Sequence, residues 1–438
     1  MRRTISLLAA AVLAAATPTF ACVGDCNDDG GVPINELIVG VNIALDAAPV
    51  ASCTAFDRNG DTAVTIDELL AGVNNALGIC ESDATPTPTA TPVVPAETRC
   101  TVAPGEDVFV DPTQPFCEYL SSYRLFKDAA TQQPNDGLLP FDLNTPLFSD
   151  YARKHRFVYL PPGTSATYNS RETFTFPVGT LLVKTFSFPV DERDPGLGER
   201  LIETRLLLRR STGWEAITYL WNAEMTEAKR RVIGAKVPID YPQADGSRFQ
   251  INFQVPNTNQ CKECHAEHND TLAPLGPKAR SLNKDYDYGD AVENQLVRWA
   301  EVGYLSGAPS PDEAPKLPAF DKPEEGTVEE RARAYLDVNC GHCHNPTGLA
   351  RTSGLYLDIH EMEPARYGVC KPPVAAGQGS GGRRVDILPG EPDGSILVYR
   401  MESIEPGVAM PELGRQSVHA EAVSLIRDWV SSIEGTCE

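Results

Sequence analysis

The chain has 438 residues, with 38 Lys and Arg against 60 Asp and Glu, and so a formal charge of -22. A surface of that sign repels phosphate, which excludes nucleic acid as a natural partner and favours basic proteins or bound cations. The length allows roughly two to four domains, each able to bury its own core without staples.

Residues 1–21 read as a signal peptide: Arg2 and Arg3, an apolar run from Ile5 to Ala16, and Thr19-Phe20-Ala21 as a small-x-small cleavage site. The expected location is the periplasm or the cell exterior. A lipid anchor on Cys22 is the less favoured alternative, because Thr19 and Phe20 depart from the Leu-small-small pattern that precedes a lipidated cysteine. No later stretch reaches the ~18 apolar residues of a membrane span. Export makes the 12 cysteines candidates for disulfides. Four fall in C-x-x-C-H motifs, and the other eight (Cys22, Cys26, Cys53, Cys80, Cys100, Cys117, Cys370 and Cys437) suit four bridges of open connectivity.

Residues 22–80 contain an internal repeat in which Asp25 corresponds to Asp57. Asp25, Asn27, Asp29, Gly31 and Glu36 fall at positions 1, 3, 5, 7 and 12 of a twelve-residue EF-hand-type loop, and Asp57, Asn59, Asp61, Ala63 and Glu68 repeat the set. Side-chain oxygens, one backbone carbonyl and a bidentate Glu make a hard shell for Ca²⁺, so two calcium ions are expected. Thr62 stands where the sixth position usually has glycine. The helix after each loop is expected to bury Leu37, Val41, Ala44 and Leu45, or Leu69, Val73, Ala76 and Leu77. A plain helical pair whose Asp and Asn residues only form turns and caps would not need Glu twice at position 12. No helix-length segment precedes the first loop, and the pair resembles the loop-plus-helix repeats of dockerins. That resemblance implies calcium and a protein partner.

Residues 81–99 are a Thr/Pro linker, extended and semi-rigid. Residues 100–256 read as a β-rich, sandwich- or barrel-like domain. The predicted strands are Phe157–Leu160, Thr173–Phe176, Thr180–Phe188, Leu201–Arg209, Trp214–Trp221 and Phe249–Val255. Residues 257–325 hold Cys261-Lys-Glu-Cys264-His265 and an amphipathic helix over 294–303. Residues 326–438 run from a helix into Cys340-Gly-His-Cys343-His344, through a long loop region, to a closing helix over 420–430. The expected fold class is therefore multidomain α+β: a small helical calcium-loop module, a β-rich middle domain and a mainly helical C-terminal domain of cytochrome c type.

In C-x-x-C-H two thiols one turn apart can add to the two vinyl groups of a haem, and the following histidine becomes an axial ligand. Two copies in one exported chain imply two covalent haem c groups, on Cys261 and Cys264 with His265, and on Cys340 and Cys343 with His344. Met410, on a loop between Pro406-Gly407 and Pro411, is the expected sixth ligand of the second iron; Met401 is its competitor. For the first iron no nearby ligand offers itself. His268 is too close to His265, which leaves the distant His155 or Met225, each read more readily as an ordinary core or surface residue, or an open position. A closed site suits electron transfer to redox partner proteins, and an open one suits a dihaem peroxidase or oxidase. A four-cysteine zinc site or thiol redox chemistry would leave both histidines unexplained. Gly377-Gln-Gly379-Ser-Gly-Gly382 matches GxGxxG but opens no helix for a pyrophosphate. Arg383 and Arg384, just after it, are either propionate partners or plain exposed arginines.

From about Phe116 to Ile433 the chain also resembles a family of bacterial exported dihaem c-type cytochromes. The strings that carry this are Thr145-Pro-Leu-Phe-Ser-Asp-Tyr-Ala152, Pro256-Asn-Thr-Asn-Gln-Cys261, Gly276-Pro-Lys-Ala-Arg280, Ala334-Tyr-Leu-Asp-Val-Asn-Cys340 through His344, and Met410-Pro-Glu-Leu-Gly-Arg415. The resemblance implies two covalent haems and electron transfer in the periplasm or at the cell surface. It does not extend to the calcium module or the linker.

Overall fold

The computed structural model describes residues 22–27, 29, 31–45, 47–58, 60–77, 100–267 and 271–437. The predicted signal peptide and linker, together with Asn59, Cys80 and His268, lie outside the described residues. The chain forms two compact units, residues 1–93 and 94–438. Among the described residues no helix is long and apolar enough to cross a membrane.

In the first unit each calcium-type loop leads into a helix, α1 (Ile34–Ala44) and α2 (Ile66–Leu77). The face they bury differs from the expected one. Val41, Leu45 and Val73 are exposed, whereas Glu36, Gly40 and Ile43 are buried. The cause is Phe56, fully buried between two glycines in equivalent places of the repeat. A Cβ on Gly40 would lie 2.6 Å from its ring, and one on Gly72 2.5 Å. The helices therefore turn their glycine stripes inward and leave Ile34, Ile38, Val41 and Leu45, with Ile66, Leu70 and Val73, on the outside. Cys26 is bonded to Cys53. Cys22 is also disulfide-bonded, which leaves no thiol there for a lipid thioether.

The second unit is mixed α+β, and the three segments read from the sequence share it. Its centre is a six-stranded antiparallel meander: β1 (Leu138–Phe141), β2 (Arg153–Tyr159), β3 (Leu181–Pro189), β4 (Glu199–Arg210), β5 (Gly213–Trp221) and β6 (Ala228–Arg231). A hairpin of β7 (Ala235–Pro242) and β8 (Arg248–Val255) follows. The hairpin packs Ile239, Tyr241, Phe253 and Val255 against Phe186, Phe188 and Ile202 of the sheet. Thr173–Phe176 makes only isolated bridges, because Thr175 pairs with Thr167 and Thr173 with Lys278.

Alternation along the strands sends residues to opposite faces. Leu181, Val183, Leu206, Leu208, Ile217 and Tyr219 form a core with the segment around Cys117, Leu120 and Tyr123. The register places Val158, Leu182, Leu207 and Ala216 in one cross-strand row of the other face, and Arg156, Lys184 and Arg205 in the next.

Four short helices and two longer ones complete the unit: α3 (Cys261–His265), α4 (Ala279–Leu282), α5 (Gln295–Glu301), α6 (Val328–Asn339), α7 (Ile396–Glu402) and α8 (Ala420–Ser432). Asn294 caps α5. A capping box of Thr327 and Glu330 starts α6. Helices α6, α7 and α8 share a core that includes Tyr335, Leu336, Val398, Ile426 and Trp429. The second C-x-x-C-H lies in the tight turn just past α6, where the amides of Cys343 and His344 both donate to the Cys340 carbonyl.

Two contacts help to fix the end of α6 to the rest of the unit. Arg280, just past the first motif, makes a two-pronged ion pair with Asp337 at 2.9 and 3.1 Å, and both side chains are almost wholly buried. Burial opposes charge on Asp337, but the guanidinium outweighs it and holds the carboxyl below its usual range. Asn339 accepts from the Phe148 amide at 2.7 Å. Asp150 adds a third tie by accepting from the amides of Gln416 and Ser417 at 2.6 and 2.8 Å, next to α8. Asp337→Asn is expected to leave Arg280 as an uncompensated buried charge and to cost about 3–5 kcal/mol. The urea midpoint of the second unit should fall accordingly, and the paired change Arg280→Met with Asp337→Leu should recover most of it.

Candidate functional site

The cysteines sort into two sets. Cys100 is bonded to Cys117 and Cys370 to Cys437, and among the described residues the free thiols are Cys261, Cys264, Cys340 and Cys343. Those four belong to the two C-x-x-C-H motifs. Burial pushes all four thiols up, Cys340 and Cys343 to about 12. Thiols that stay protonated at neutral pH are poor nucleophiles, which argues against disulfide exchange. Among the described residues no three or more His, Cys, Asp or Glu side chains gather as a metal cluster, neither the four thiols nor the carboxylates of the two calcium-type loops.

Each motif opens onto a cavity. Cys340, Cys343 and His344 line one of about 610 Å³, together with Tyr335, Leu357, Met401, Met410 and His419. The His344 Nδ1 lies 3.2 Å from the Leu355 carbonyl, so that nitrogen carries the proton and Nε2 is left as the donor atom. Both methionines named from the sequence reach this cavity. Met401 sits on α7 and belongs to the helical core, whereas Met410 sits on a loop. Arg415 braces that loop: its Nη2 donates to the carbonyls of Met410, Arg400 and Ser403 at 2.9, 3.0 and 2.6 Å. Arg383 is not part of this wall, because it stacks on Tyr399 and donates to the Asp393 carbonyl, and Arg384 is exposed. The cationic lining comes instead from Lys371, Arg400 and Arg415.

Cys261, Cys264 and His265 line the other cavity, about 210 Å³, roofed by the second face of the sheet. His265 Nδ1 lies 2.8 Å from the Ala273 carbonyl, again leaving Nε2 as the donor. Burial pulls this imidazole down to about 4, so it is neutral at physiological pH. The row Arg156, Lys184 and Arg205 faces the same space. Arg156 pairs with Asp142 at 2.6 Å and Arg205 with Glu203 at 2.6 and 2.9 Å. Lys184 has no carboxylate partner among the described residues, and burial followed by repulsion from Arg156, Lys154 and Arg205 pulls its ammonium well down. Like charges opposite one another in a sheet are destabilising, and here the carboxylates of Asp142 and Glu203 offset the two arginines.

The two distant candidates for this cavity are not in it. His155 Nε2 is 2.7 Å from Glu199, whose carboxylate also takes Arg153 at 2.9 Å and Ser187. Met225 packs against the opposite core and accepts from the Leu201 amide at 3.3 Å. The sequence reading missed His342, between the two cysteines of the second motif, which lines both cavities. Cys264 and Leu413 share that dividing wall, and Cys343 Sγ lies 3.5 Å from the Glu263 carbonyl, so the two motifs touch. The written clue was the second histidine in Cys-Gly-His-Cys-His. For the cationic row the clue was a basic residue at an inward position of three neighbouring strands. The Gly377–Gly382 segment forms a short 3-10 turn with no helix after it, as read.

In the first calcium-type loop Glu36 folds back so that Oε1 accepts from the Cys26 amide at 3.2 Å, while Oε2 is buried with no hydrogen-bond partner. Burial, then Asp25 and Asp29, raise its carboxyl. Asp29 accepts from the Gly31 amide at 3.0 Å, and Asn27 donates to Asp29 at 2.9 Å. In the second loop Glu68 accepts from the amides of Arg58 and Thr65, each at 2.9 Å. Asp61 accepts from the Ala63 amide at 2.9 Å, and Asp57 from those of Gly60, Asp61 and Thr62. Thr62 adopts φ +69°, the left-handed turn that glycine usually supplies at this place.

Compared with family models, curated proteins and solved structures, the chain matches none. The strain at Thr62 gives a direct check of the loop reading. Thr62→Gly is expected to stabilise the first unit by about 1 kcal/mol, read as a higher thermal midpoint in buffer containing calcium. A lower midpoint would mean that the left-handed turn is not required.

Proposed function

We propose that the protein is an exported dihaem c-type cytochrome that transfers electrons in the periplasm or at the cell surface. The observation that carries this reading is the sorting of the cysteines: the two thiol pairs left free are the two followed by a histidine whose Nε2 is available, and each trio borders a cavity. Haem, when bound, supplies one-electron exchange at iron. The chain's own residues would do the rest. Cys261, Cys264, Cys340 and Cys343 would hold the two groups as thioethers. His265 and His344 would ligate iron, oriented through the carbonyls of Ala273 and Leu355. Lys184, Arg156 and Arg205 would meet the propionate charges of the first group, and Arg400 those of the second.

Met410 would complete the second iron, held in place by Arg415. A thioether favours the reduced state more than imidazole does, which sets this haem as the higher-potential member of the pair. The acidic surface favours basic redox partners. The loops at Asp25–Glu36 and Asp57–Glu68 would bind calcium, the first through the spare oxygen of Glu36. The apolar stripe of Ile34, Ile38 and Val41 with Ile66, Leu70 and Val73 supports a protein as that module's partner.

Redox titration of the holo-protein tests the reading. Two one-electron haem steps are expected, and Met410→Ala should lower the potential of one and leave the other nearly unchanged, whereas Met401→Ala should leave both in place. Absence of haem redox steps in the wild type would overturn the function. A shift with Met401→Ala alone would overturn the ligand.

A further inference from the structure

We infer that His342 is the sixth ligand of the first iron, the one carried by Cys261, Cys264 and His265, so that one short turn ligates one haem and attaches the other. This rests on the dihaem reading and adds a ligand to it.

The first cavity offers few atoms that could bind iron opposite His265. Beyond the two motif cysteines, its nitrogen and sulfur side chains of suitable kind are His342, Lys184 and Lys278. His342 Nδ1 lies 3.3 Å from the Val338 carbonyl, one helical turn back. That contact places the proton on Nδ1 and leaves Nε2, which makes no hydrogen bond among the described residues, with its lone pair free. His265 and His344 are prepared in the same way by Ala273 and Leu355. The lysines differ. Lys278 lies 3.9 Å from Glu172, and the Lys184 ammonium sits 4.7 Å from the Phe186 ring centre within the cationic row. Each lysine head group already has a contact of its own, whereas His342 Nε2 has none among the described residues.

The position of His342 is also built. Asp337, five residues earlier, is fixed by Arg280, and Asn339 is fixed by the Phe148 amide. Gly341 lets the turn pass so close to the chain that a Cβ would lie 2.7 Å from the Asp337 carbonyl and 3.0 Å from Asp358 Cα. The imidazole is thereby held in the wall between the two cavities.

Two consequences follow for function. The first haem is closed on both faces, which removes the open position that a peroxidase needs. The two irons are joined through His342 and its neighbours Cys343 and His344, a short covalent path alongside the contact of Cys343 with Glu263.

The test uses the full exported holo-protein, with covalent haem counted after acid-acetone extraction and spin states read by electron paramagnetic resonance. Wild type is expected to carry two low-spin ferric haems, neither of which binds cyanide readily. His342→Ala should keep two covalent haems, turn one high-spin and open it to cyanide, and added imidazole should restore the low-spin signal. His342→Met should stay low-spin and raise the potential of that haem alone. Two low-spin haems in His342→Ala, or an unchanged potential in His342→Met, would overturn the assignment and leave the dihaem reading standing. So would a high-spin conversion produced by Lys184→Ala instead. A wild type without covalent haem would overturn the dihaem reading itself.

Discussion

Everything in the second unit depends on how the end of α6 is held against the rest of the chain. The buried pair of Arg280 and Asp337 joins the segment after the first C-x-x-C-H to the helix before the second. A buried ion pair is a weak source of stability, since its attraction barely offsets the desolvation of two charges. Its value is geometric. With both prongs made, the turn from Cys340 to His344 can occupy one place only, between the two cavities. Phe148 and Asp150 add direction from the other side through Asn339 and the turn at Gln416 and Ser417.

Seen from this interaction, the sheet has two jobs. One face packs an ordinary apolar core with the segment around Tyr123. The other presents an apolar row and then a basic row to the first cavity. Two members of that row are compensated within the chain, Arg156 by Asp142 and Arg205 by Glu203, and Lys184 is the one without a carboxylate partner among the described residues. The helical part has a different balance: its cations brace carbonyls or pair with Asp386, and its cavity is nearly three times larger. The two cavities share a wall, but their charge and room differ.

Much of this was legible in the sequence where the signal is local. The two C-x-x-C-H motifs, the helix over 295–301, the closing helix and most strands of the meander follow from spacing and periodicity. So does the division of the cysteines. What escaped was set by contacts distant in sequence. Thr173–Phe176 has strand composition, yet its partners are single residues, one in the two-residue strand Ala166–Thr167 and one just before a short helix. Val41 and Leu45 fit a helical stripe, but Phe56 selects the glycine face instead. His342 lies inside the second motif, between its two cysteines. Its significance arises from the first cavity, which the sheet, the first motif and α6 build together.

The central claim is that both motifs carry covalent haem. Intact mass of the exported protein, measured after full denaturation and disulfide reduction, tests it most directly. The account predicts the mass of the mature chain plus two haem groups, falling by one haem when Cys261 and Cys264 are both changed to alanine and by the other when Cys340 and Cys343 are. A mass equal to the bare chain, with four alkylatable thiols at these positions, would contradict it.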